Sequence, residues 1–330
     1  SDFLNKKYTL KNLSDKDFES IVDDLAKQLE VYDYHTFYSD SDLIKDWNKL
    51  CKWNTTEDSI NSTSRIGMKL CEHFFPNFYD IENSKGESFS NLWKKDNLVK
   101  ILKWNRKSHS TPYLSEIKRG IYFCCGLTKN TMYRPQMMKL ACIKYKPEIV
   151  LDPCMGWGGR MLGTIANNWN YISCDPNKET FDNVNRILDF VRNTNTPITG
   201  LPNVQLHNIP AEDYDYANSQ KVDVVLTSPP YFNLEVYNDD ETQSYNKHNT
   251  YEAWRDNWFF PLVENCFTIL KDDGISAWNV MNFKRNDLVG DLISIHEKHG
   301  WKLTETVGFD SPLNNIRKLK NKDVTYIFRK

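Results

Sequence analysis

Residues 148–160 read EIVLDPCMGWGGR, a short apolar run followed directly by a glycine-rich turn. Glycines let the backbone take positive φ and let its N–H groups come close to a ligand, and the next helix points its N-terminus at the same place. Four of the 13 glycines of the chain lie between Gly156 and Gly163. The pattern predicts a strand, a loop and a helix, with either a ligand at the loop or a tight turn that binds nothing.

A second apolar run, Tyr171–Cys174, ends in Asp175 about 20 residues after the glycine loop, where nucleotide-binding folds place an acid that binds ribose hydroxyls. The loop itself lacks the G-x-G-x-x-G spacing of a dinucleotide site. Together these two observations favour a nucleoside ligand without a pyrophosphate.

Short apolar runs and helical patterns alternate throughout the residues after 130. The runs are Glu148–Leu151, Tyr171–Cys174, Val204–Leu206, Val222–Leu226, Ile275–Asn279, Leu303–Val307 and Val324–Phe328. The helical patterns are Gly163–Trp169, Lys178–Arg192, Tyr251–Leu270 and Asp287–His299. Strands joined by crossover helices predict an α/β fold with a Rossmann-like parallel sheet and helices on both faces. A basic loop precedes the last run, so we expect that strand to be antiparallel.

The first 130 residues differ in character, with few glycines and many aromatic residues. Lys16–Leu29 and Ser41–Lys52 have helical patterns, and Ser14 and Ser41 are expected as their N-caps. We therefore predict a mostly helical domain over residues 1–130 and an α/β domain over residues 131–330.

Composition excludes several classes of protein. The 330 residues carry 42 basic and 44 acidic side chains, and this near neutrality excludes a histone-like polycation but not a nucleic-acid enzyme. No apolar run approaches the ~20 residues of a membrane span, and no signal-peptide pattern opens the chain. The eight cysteines are scattered without CxxC pairs, which predicts reduced, buried thiols, no metal site and a cytoplasmic, intracellular protein.

Basic residues concentrate in two places. Trp93–Arg119 mixes lysines and arginines with aromatic residues, and a second basic group lies in the loop before the last strand. Both fit contacts with the phosphates and bases of nucleic acid, and both also fit a solvated surface. The candidates for substrate contact are Lys103, Arg106, Lys107, Arg317 and Lys318.

The run Val222–Leu226 leads straight into Thr227-Ser-Pro-Pro-Tyr-Phe232. The two prolines cannot donate to a sheet and hold the backbone rigid, which leaves carbonyls as acceptors at the strand end. The Ser228 hydroxyl and a carbonyl could then grip the two N–H groups of a planar exocyclic amine, while Tyr231, together with Phe232, stacks on its ring. The alternative is a Pro-Pro turn beside a core tyrosine.

With these motifs in place, residues 131–330, about 60% of the chain, resemble an S-adenosylmethionine-dependent methyltransferase domain. The resemblance is to the amino-group DNA methyltransferases that make N4-methylcytosine or N6-methyladenine, and in particular to the small methylases of phage genomes. Asp152–Gly158 resembles their motif I, Ser228–Tyr231 matches their (D/N/S)-PP-(Y/F/W) motif, and Thr131–Leu140 resembles their motif X. These enzymes usually carry a recognition region after the catalytic motif, but most of the roughly 100 residues after Tyr231 are needed here for the last strands and helices. The residues outside the methyltransferase domain are therefore 1–130, and they have a possible role in DNA recognition.

The resemblance implies S-adenosyl-L-methionine as cofactor and Ser228, Pro229, Pro230 and Tyr231 as catalytic residues. Asp152 would lie near the methionine amino group, Asp175 would bind the ribose, and Glu212 or Asp213 would lie near the adenine, since Pro210 replaces the usual acid. The implied cofactor-binding residues are Thr131, Tyr133, Asp152, Cys154, Gly156, Gly158, Asp175, Glu212 and Asp213.

Serine at position 228 favours N4 of cytosine over N6 of adenine in enzymes of this kind. A base inside a duplex cannot reach such a pocket, so the DNA substrate is expected to be flipped out or single-stranded. The alternatives are a methyltransferase for RNA or for a protein glutamine, and a cofactor-binding subunit of a partner-dependent methylase. A restriction–modification partner, a viral source, and a monomeric or homodimeric state are all compatible with the sequence.

Overall fold

The computed structural model describes residues 10–330, apart from 58–59, 62, 84, 109–110, 128–129, 196, 198–199, 233–234, 237–243, 245–246, 284 and 309–323. The helices are α1 (Asp15–Glu30), α2 (Asp40–Lys52), α3 (Met68–Phe74), α4 (Phe89–Leu92), α5 (Lys95–Lys107), α6 (Leu114–Cys125), α7 (Pro135–Tyr145), α8 (Gly159–Ile165), α9 (Lys178–Arg192), α10 (Tyr251–Trp254), α11 (Phe260–Ile269) and α12 (Leu288–Lys298). A π-helical turn, Arg255–Phe259, joins α10 to α11. The strands are β1 (Glu82–Asn83), β2 (Ile149–Asp152), β3 (Asn170–Cys174), β4 (Val204–His207), β5 (Val222–Thr227), β6 (Glu235–Val236), β7 (Leu270–Val280), β8 (Lys302–Val307) and β9 (Val324–Arg329).

Two compact units make up the chain. The helical unit contains Ser1–Thr36, Pro76–Thr131 and Leu234–Asn238, and the sheet unit contains Phe37–Phe75, Met132–Asn233 and Asp239–Lys330. This division differs from the single boundary expected at residue 130, because residues 37–75 belong with the sheet. The reason is packing: Leu43, Trp47 and Leu50 of α2 are fully buried in the same apolar core as Met138 of α7.

The sheet unit is built on seven strands in the order β4-β3-β2-β5-β7-β9-β8. β2, β3, β4, β5 and β7 are parallel, whereas β9 runs antiparallel between β7 and β8, as the sequence predicted. This is a Rossmann-like sheet with one antiparallel strand near its edge. Its strand order reverses between β2 and β5, and open α/β sheets bind ligands at the carboxyl ends of the strands at such a point.

Glycine spacing on α8 brings that helix close to α7. A Cβ on Gly159 would lie 2.0 Å from the Tyr133 carbonyl oxygen, and one on Gly163 would lie 2.3 Å from that of Pro135. Because the two glycines are four residues apart, they lie on the same face of α8. Helix α8, which follows the glycine loop, is thereby fixed against α7 and Tyr133, which precede β2.

A buried lysine joins α7 to α2. Lys139 is 3% exposed, and its Nζ donates to the carbonyls of Leu50 and Cys51 at 2.7 and 2.6 Å. These carbonyls end α2, where a helix has unsatisfied acceptors and the negative end of its dipole. Burial lowers the pKa of Lys139 to about 8.

The helical unit packs α1, α5 and α6 around an apolar core that includes Phe18, Trp93 and Ile121. Three ion pairs join α1 to α5, and their order shows that the two helices are antiparallel. They are Asp23–Lys95 at 2.9 Å, Glu19–Lys103 at 3.1 Å and Asp15–Arg106 at 2.8 Å. The acidic start of the chain therefore neutralises part of its basic segment.

Some local expectations need correction. Ser14 caps α1 as predicted, but Ser39 rather than Ser41 caps α2, since its side chain accepts from the Asp42 N–H. The helix expected at Gly163–Trp169 begins four residues earlier, directly after the loop, because Gly158 supplies its N-cap. All eight cysteines are free thiols, but Cys51, Cys124, Cys125 and Cys154 are only partly buried, contrary to the expectation for the set. Within the described ranges, every helix is too short or too polar to cross a membrane.

Candidate active site

The glycine loop lies at the carboxyl end of β2. Gly156 and Gly158 have φ of +61° and +80°, which L side chains rarely adopt. A Cβ on Gly158 would also lie 3.0 Å from the Cδ1 of Ile187, and one on Gly156 would lie 3.3 Å from Nη2 of Arg160. The Met155 N–H donates to the Cys174 carbonyl at 2.8 Å, which ties the loop to the end of β3. Both positions therefore favour glycine, because any side chain there would strain the loop and Gly158 has no room for one.

Asp152 is fully buried at the end of β2, where its carboxylate accepts hydrogen bonds from three side chains. Its Oδ1 accepts from the Thr227 hydroxyl at 2.6 Å, and its Oδ2 accepts from the Tyr171 hydroxyl at 2.6 Å and from Arg160 Nε at 2.7 Å. Three side-chain donors thus occupy a carboxylate that we expected at the methionine amino group. This corrects the expected role of Asp152 to that of an internal support.

Cys154 takes part in the same network through its backbone. Its N–H donates to the Thr227 hydroxyl at 3.2 Å, and its carbonyl accepts from the Arg160 guanidinium. Burial and the neighbouring Asp152 carboxylate raise the pKa of its thiol well above the usual range, so it stays protonated. Cys154 therefore contributes loop geometry rather than a thiolate.

Asp175 follows β3, as the sequence predicted, and its side chain is partly exposed beside the glycine loop. Its carboxylate accepts from the Asn177 N–H at 2.8 Å and from the Gly156 N–H. Desolvation raises its pKa to about 7. An acceptor held between the loop and the next helix suits the hydroxyls of a ribose.

The two acids after β4 behave differently from each other. Glu212 is partly buried, and its carboxylate accepts from Lys247 Nζ at 2.7 Å and from the Trp258 indole N–H at 2.8 Å. Asp213 is exposed, and its backbone N–H donates to the Pro210 carbonyl. Lys247 and Trp258 of the π-helical turn therefore fix the position of the Glu212 carboxylate, whereas Asp213 is exposed to solvent.

The motif X-like segment is split between the units. Tyr133 belongs to the sheet unit, where the Arg160 guanidinium lies 5.2 Å from its ring centre and its carbonyl lies against Gly159. Thr131 is exposed and belongs to the helical unit. Tyr133 thus packs beside the glycine loop through Arg160 and Gly159, and its contact with the cofactor stays a prediction.

Ser228-Pro-Pro-Tyr231 begins where β5 ends, next to the carboxyl end of β2. Ser228, Pro230 and Tyr231 are partly exposed, and Pro229 is buried. The Tyr231 ring makes an edge-to-face contact with the buried Phe283 at 5.8 Å. The structure thus presents the serine and the tyrosine at the switch point of the sheet.

Phe232 is not available for stacking on a substrate. It is 7% exposed and packs against Tyr251 and Trp254, with ring centroids 6.5 and 6.2 Å away. This corrects its assignment as a substrate contact. Phe232 instead anchors the segment that follows the catalytic motif in an aromatic cluster.

The predicted phosphate contacts have mixed outcomes. Arg106 donates to the carbonyls of Leu10 and Leu13, pairs with Asp15 and lies over the Phe18 ring, so it fixes the start of α1 and is not directed at a substrate. Lys103 pairs with Glu19, and Lys107 is exposed. Arg317 and Lys318 lie outside the described residues.

Three residues of the buried network were missed by sequence reasoning. Thr227, Arg160 and Tyr171 are buried polar residues around Asp152. Arg160 gave one signal, since a charged residue directly after two glycines in an apolar helix must find a buried partner. Thr227 and Tyr171 look like ordinary strand residues.

One family model matches the chain. Residues 222–330 match the model that is named for N6- and N4-methylating enzymes and described as DNA methylase. The match covers β5, the Ser228–Tyr231 motif and the last three strands of the seven-stranded sheet. It supports a methyltransferase related to the amino-group DNA methylases. No curated protein matches the chain significantly.

Several solved structures resemble part of the chain at TM-scores below 0.5. The ribosomal protein L11 methylase of Lactobacillus delbrueckii subsp. bulgaricus is 11% identical, covering 62% of this chain and 82% of that one, with a TM-score of 0.39. An rRNA methylase of Streptococcus thermophilus is 14% identical, covering 61% and 99%, with a TM-score of 0.40. NSun6 of Pyrococcus horikoshii, solved with the S-adenosylmethionine analogue SFG, is 16% identical, covering 59% and 51%, with a TM-score of 0.43. At these scores, nothing about the function or the substrate of this chain follows from the likeness.

S-adenosylmethionine is the cofactor that the methylase family uses, and the residues present fit it. Gly156 and Gly158 form a cradle, a turn with backbone N–H groups at the carboxyl end of β2, and the Asp175 carboxylate accepts from one of these N–H groups, that of Gly156. The chain therefore combines a Rossmann-like sheet with a glycine loop, Asp175 and a Ser-Pro-Pro-Tyr motif at the carboxyl edge of its parallel strands.

Proposed function

We propose that the chain is an S-adenosylmethionine-dependent DNA methyltransferase that modifies the exocyclic amino group of a base, with N4 of cytosine preferred and N6 of adenine next. The observation that carries this proposal is the junction of Ser228-Pro-Pro-Tyr231 with the glycine loop through Thr227. A cofactor loop and an amine-binding motif held by one hydrogen-bonded residue suit the transfer of a methyl group between neighbouring ligands.

The cofactor residues have distinct roles in this proposal. Gly156 and Gly158 keep the cradle open for the methionine part, and Asp175 accepts hydrogen bonds from the ribose hydroxyls. Glu212 borders the adenine, since Lys247 and Trp258 fix its carboxylate. Asp152 acts beneath the loop, where it holds Arg160 and Thr227 in place.

The catalytic motif acts on the amine of the target base. The nitrogen is a poor nucleophile because its lone pair is delocalised into the ring. Its N–H groups donate to the Ser228 hydroxyl and the Pro229 carbonyl, which favours a pyramidal nitrogen in the transition state. Tyr231 stacks on the ring and is itself held by Phe283. S-adenosylmethionine, when bound, supplies an electrophilic sulfonium methyl, so alignment provides most of the rate enhancement.

Stacking on Tyr231 requires a base outside the duplex stack. We therefore propose that the DNA target is flipped out or already single-stranded. The choice of cytosine rests on serine at position 228, which offers a neutral hydroxyl acceptor where related motifs carry aspartate or asparagine.

The test is transfer of a tritiated methyl group from S-adenosylmethionine to unmodified DNA, with RNA and protein substrates in parallel, followed by nucleoside mass spectrometry. We expect N4-methylcytosine in DNA. N6-methyladenine would keep the mechanism and overturn the choice of base. Label in RNA or in protein glutamine would overturn DNA as substrate. Transfer that appears only when a cell extract is added would show a partner-dependent methylase.

A further inference from the structure

One face of the helical unit carries a pair of aromatic rings, of which Phe123 is exposed and Trp104 is partly buried. Trp104 on α5 and Phe123 on α6 are stacked, with ring centroids 5.8 Å apart and an interplanar angle of 16°. Phe123 is 64% exposed, although it is a large apolar side chain in a helix. Neighbouring rings that face water form a candidate binding surface.

Cations surround this pair. The Arg119 guanidinium lies 5.1 Å from the centre of the Phe123 ring. Lys100 and Lys107 are exposed and lie four residues before and three residues after Trp104, which places them on its face of α5. The charge of Lys100 also acts on the Cys125 thiol of α6. We call Lys100, Trp104, Lys107, Arg119 and Phe123 the aromatic–basic face.

The charge of this face is distinct from that of the rest of α5. Lys95, Lys103 and Arg106 are paired with the acids of α1. Two acids of the described residues accompany its three cations: Glu116 lies 3.2 Å from Arg119, and the exposed Asp96 lies four residues before Lys100 on the same side of α5. A net positive charge of one therefore remains beside the rings.

We propose that the aromatic–basic face binds single-stranded DNA, with bases stacked on the rings and phosphates beside the lysines and Arg119. Bases in a duplex already stack on one another, so rings on a helix surface can accept only unpaired bases. Stacking combined with cations binds single strands with little sequence preference. The choice of DNA over RNA rests on the proposed function.

The experiment measures binding of fluorescently labelled single-stranded DNA of mixed sequence to the full-length chain by anisotropy at several salt concentrations. Trp104→Ala with Phe123→Ala is expected to weaken binding at least about fivefold, the lower range for loss of one stacked base. Lys100→Ala with Lys107→Ala should reduce the salt slope by about 1.4, since each phosphate contact on a single strand contributes about 0.7.

Tyr32→Ala is the matched control. Tyr32 is a 45% exposed aromatic residue of the same unit that follows the end of α1 and is not part of the aromatic–basic face. This variant should bind DNA like the wild type. Phe123→Ala alone keeps the test valid if the double variant fails to fold, because little of that side chain is buried.

Wild-type-like binding by both sets of variants, or a wild-type chain that does not bind single-stranded DNA, would overturn the inference. So would a wild-type dimer, seen by sedimentation, that the ring variants convert to monomer without a change in DNA binding, since the face would then bind a second copy. Methyl transfer by the wild type is measured separately. If the wild type methylates DNA and the variants bind single-stranded DNA as the wild type does, only this inference is wrong. If the variants bind more weakly and the wild type does not methylate DNA, only the proposed function is wrong.

Discussion

The hydroxyl of Thr227 donates to Oδ1 of Asp152 over 2.6 Å, although the two residues are 75 positions apart in the chain. The same hydroxyl accepts from the Cys154 N–H at 3.2 Å. Thr227 is the last residue of β5 and directly precedes Ser228, while Asp152 and Cys154 begin the glycine loop. One buried hydroxyl thus connects the proposed amine site to the proposed cofactor loop.

Thr227→Val is expected to separate these two parts of the site. Valine has nearly the same shape but leaves the Asp152 oxygen and the Cys154 N–H without this partner, at a cost of about 1–3 kcal/mol. We expect a higher KM for S-adenosylmethionine together with a lower kcat, because the loop and Ser228 both lose a support. Steady-state kinetics with the cofactor and DNA varied in turn would measure both.

Thr227→Ser is the matched control for that prediction. It keeps the hydroxyl and loses a methyl group, so a merely structural role would make it at least as harmful as valine. Recovery of both kinetic parameters by serine identifies the hydrogen bond as the cause. Equal defects in the two variants would contradict a positioning role for Thr227.

Gly159→Ala is expected to destabilise the sheet unit strongly. The new Cβ would lie 2.0 Å from the Tyr133 carbonyl oxygen, so α8 must move away from α7. Overpacking of this kind costs about 1–3 kcal/mol and occasionally more. Gly300→Ala is the control, because Gly300 has a φ of +80° but no atom within 4 Å of its added Cβ, and it should cost about 1 kcal/mol. Urea unfolding measures the free energy of unfolding of both variants. Equal losses in the two variants would show that α7 and α8 adjust to the added methyl group without strain.

The sheet was predictable from sequence because each strand shows as a compact apolar run bounded by turns. The runs at residues 148–151 and 222–226 are strands β2 and β5 within one residue at each end. The exit of each strand marks the carboxyl edge of a parallel sheet, so the glycine loop, Asp175 and Ser228–Tyr231 could be placed at one edge. Each of these signals lies within a short stretch of sequence, so it can be recognised before the fold is known.

The pairing of surfaces was not predictable in the same way. The apolar stripe of Leu43, Trp47 and Leu50 shows which face of α2 is buried but not that it is buried in the sheet unit. Arg106 looks like a phosphate ligand until its contacts with residues more than 90 positions earlier are known. Asp152 looks like a cofactor ligand for the same reason, since its three donors come from other elements.

Tyr231→Ala is expected to abolish most methyl transfer while cofactor binding survives. Stacking of a base on an aromatic ring contributes about 1–3 kcal/mol, so kcat/KM for DNA should fall about 5- to 150-fold. Tyr231→Phe keeps the ring and its edge-to-face contact with Phe283, and it should retain most activity. Tritium transfer and calorimetric titration with S-adenosylmethionine separate the two effects. Full transfer by the alanine variant would show that the amine pocket lies elsewhere.

Asp175 predicts a pH dependence of opposite sign for stability and for cofactor binding. Its folded-state pKa of about 7 lies above the ordinary value of 3.8, so between these pH values the folded chain holds a proton that the unfolded chain has released. The contribution of Asp175 to the free energy of unfolding therefore falls as pH rises through this window, so the difference in that free energy between the wild type and Asp175→Asn should fall with it. Binding of the ribose hydroxyls needs the carboxylate, so the affinity for S-adenosylmethionine should rise by up to about tenfold from pH 6 to pH 8 in the wild type.

Asp175→Asn should bind S-adenosylmethionine more weakly, with no such rise in affinity. Asp215→Asn alters an exposed acid and should behave like the wild type. Calorimetric titrations at pH 6, 7 and 8 test this, and a parallel rise in Asp175→Asn would remove Asp175 from the cofactor site.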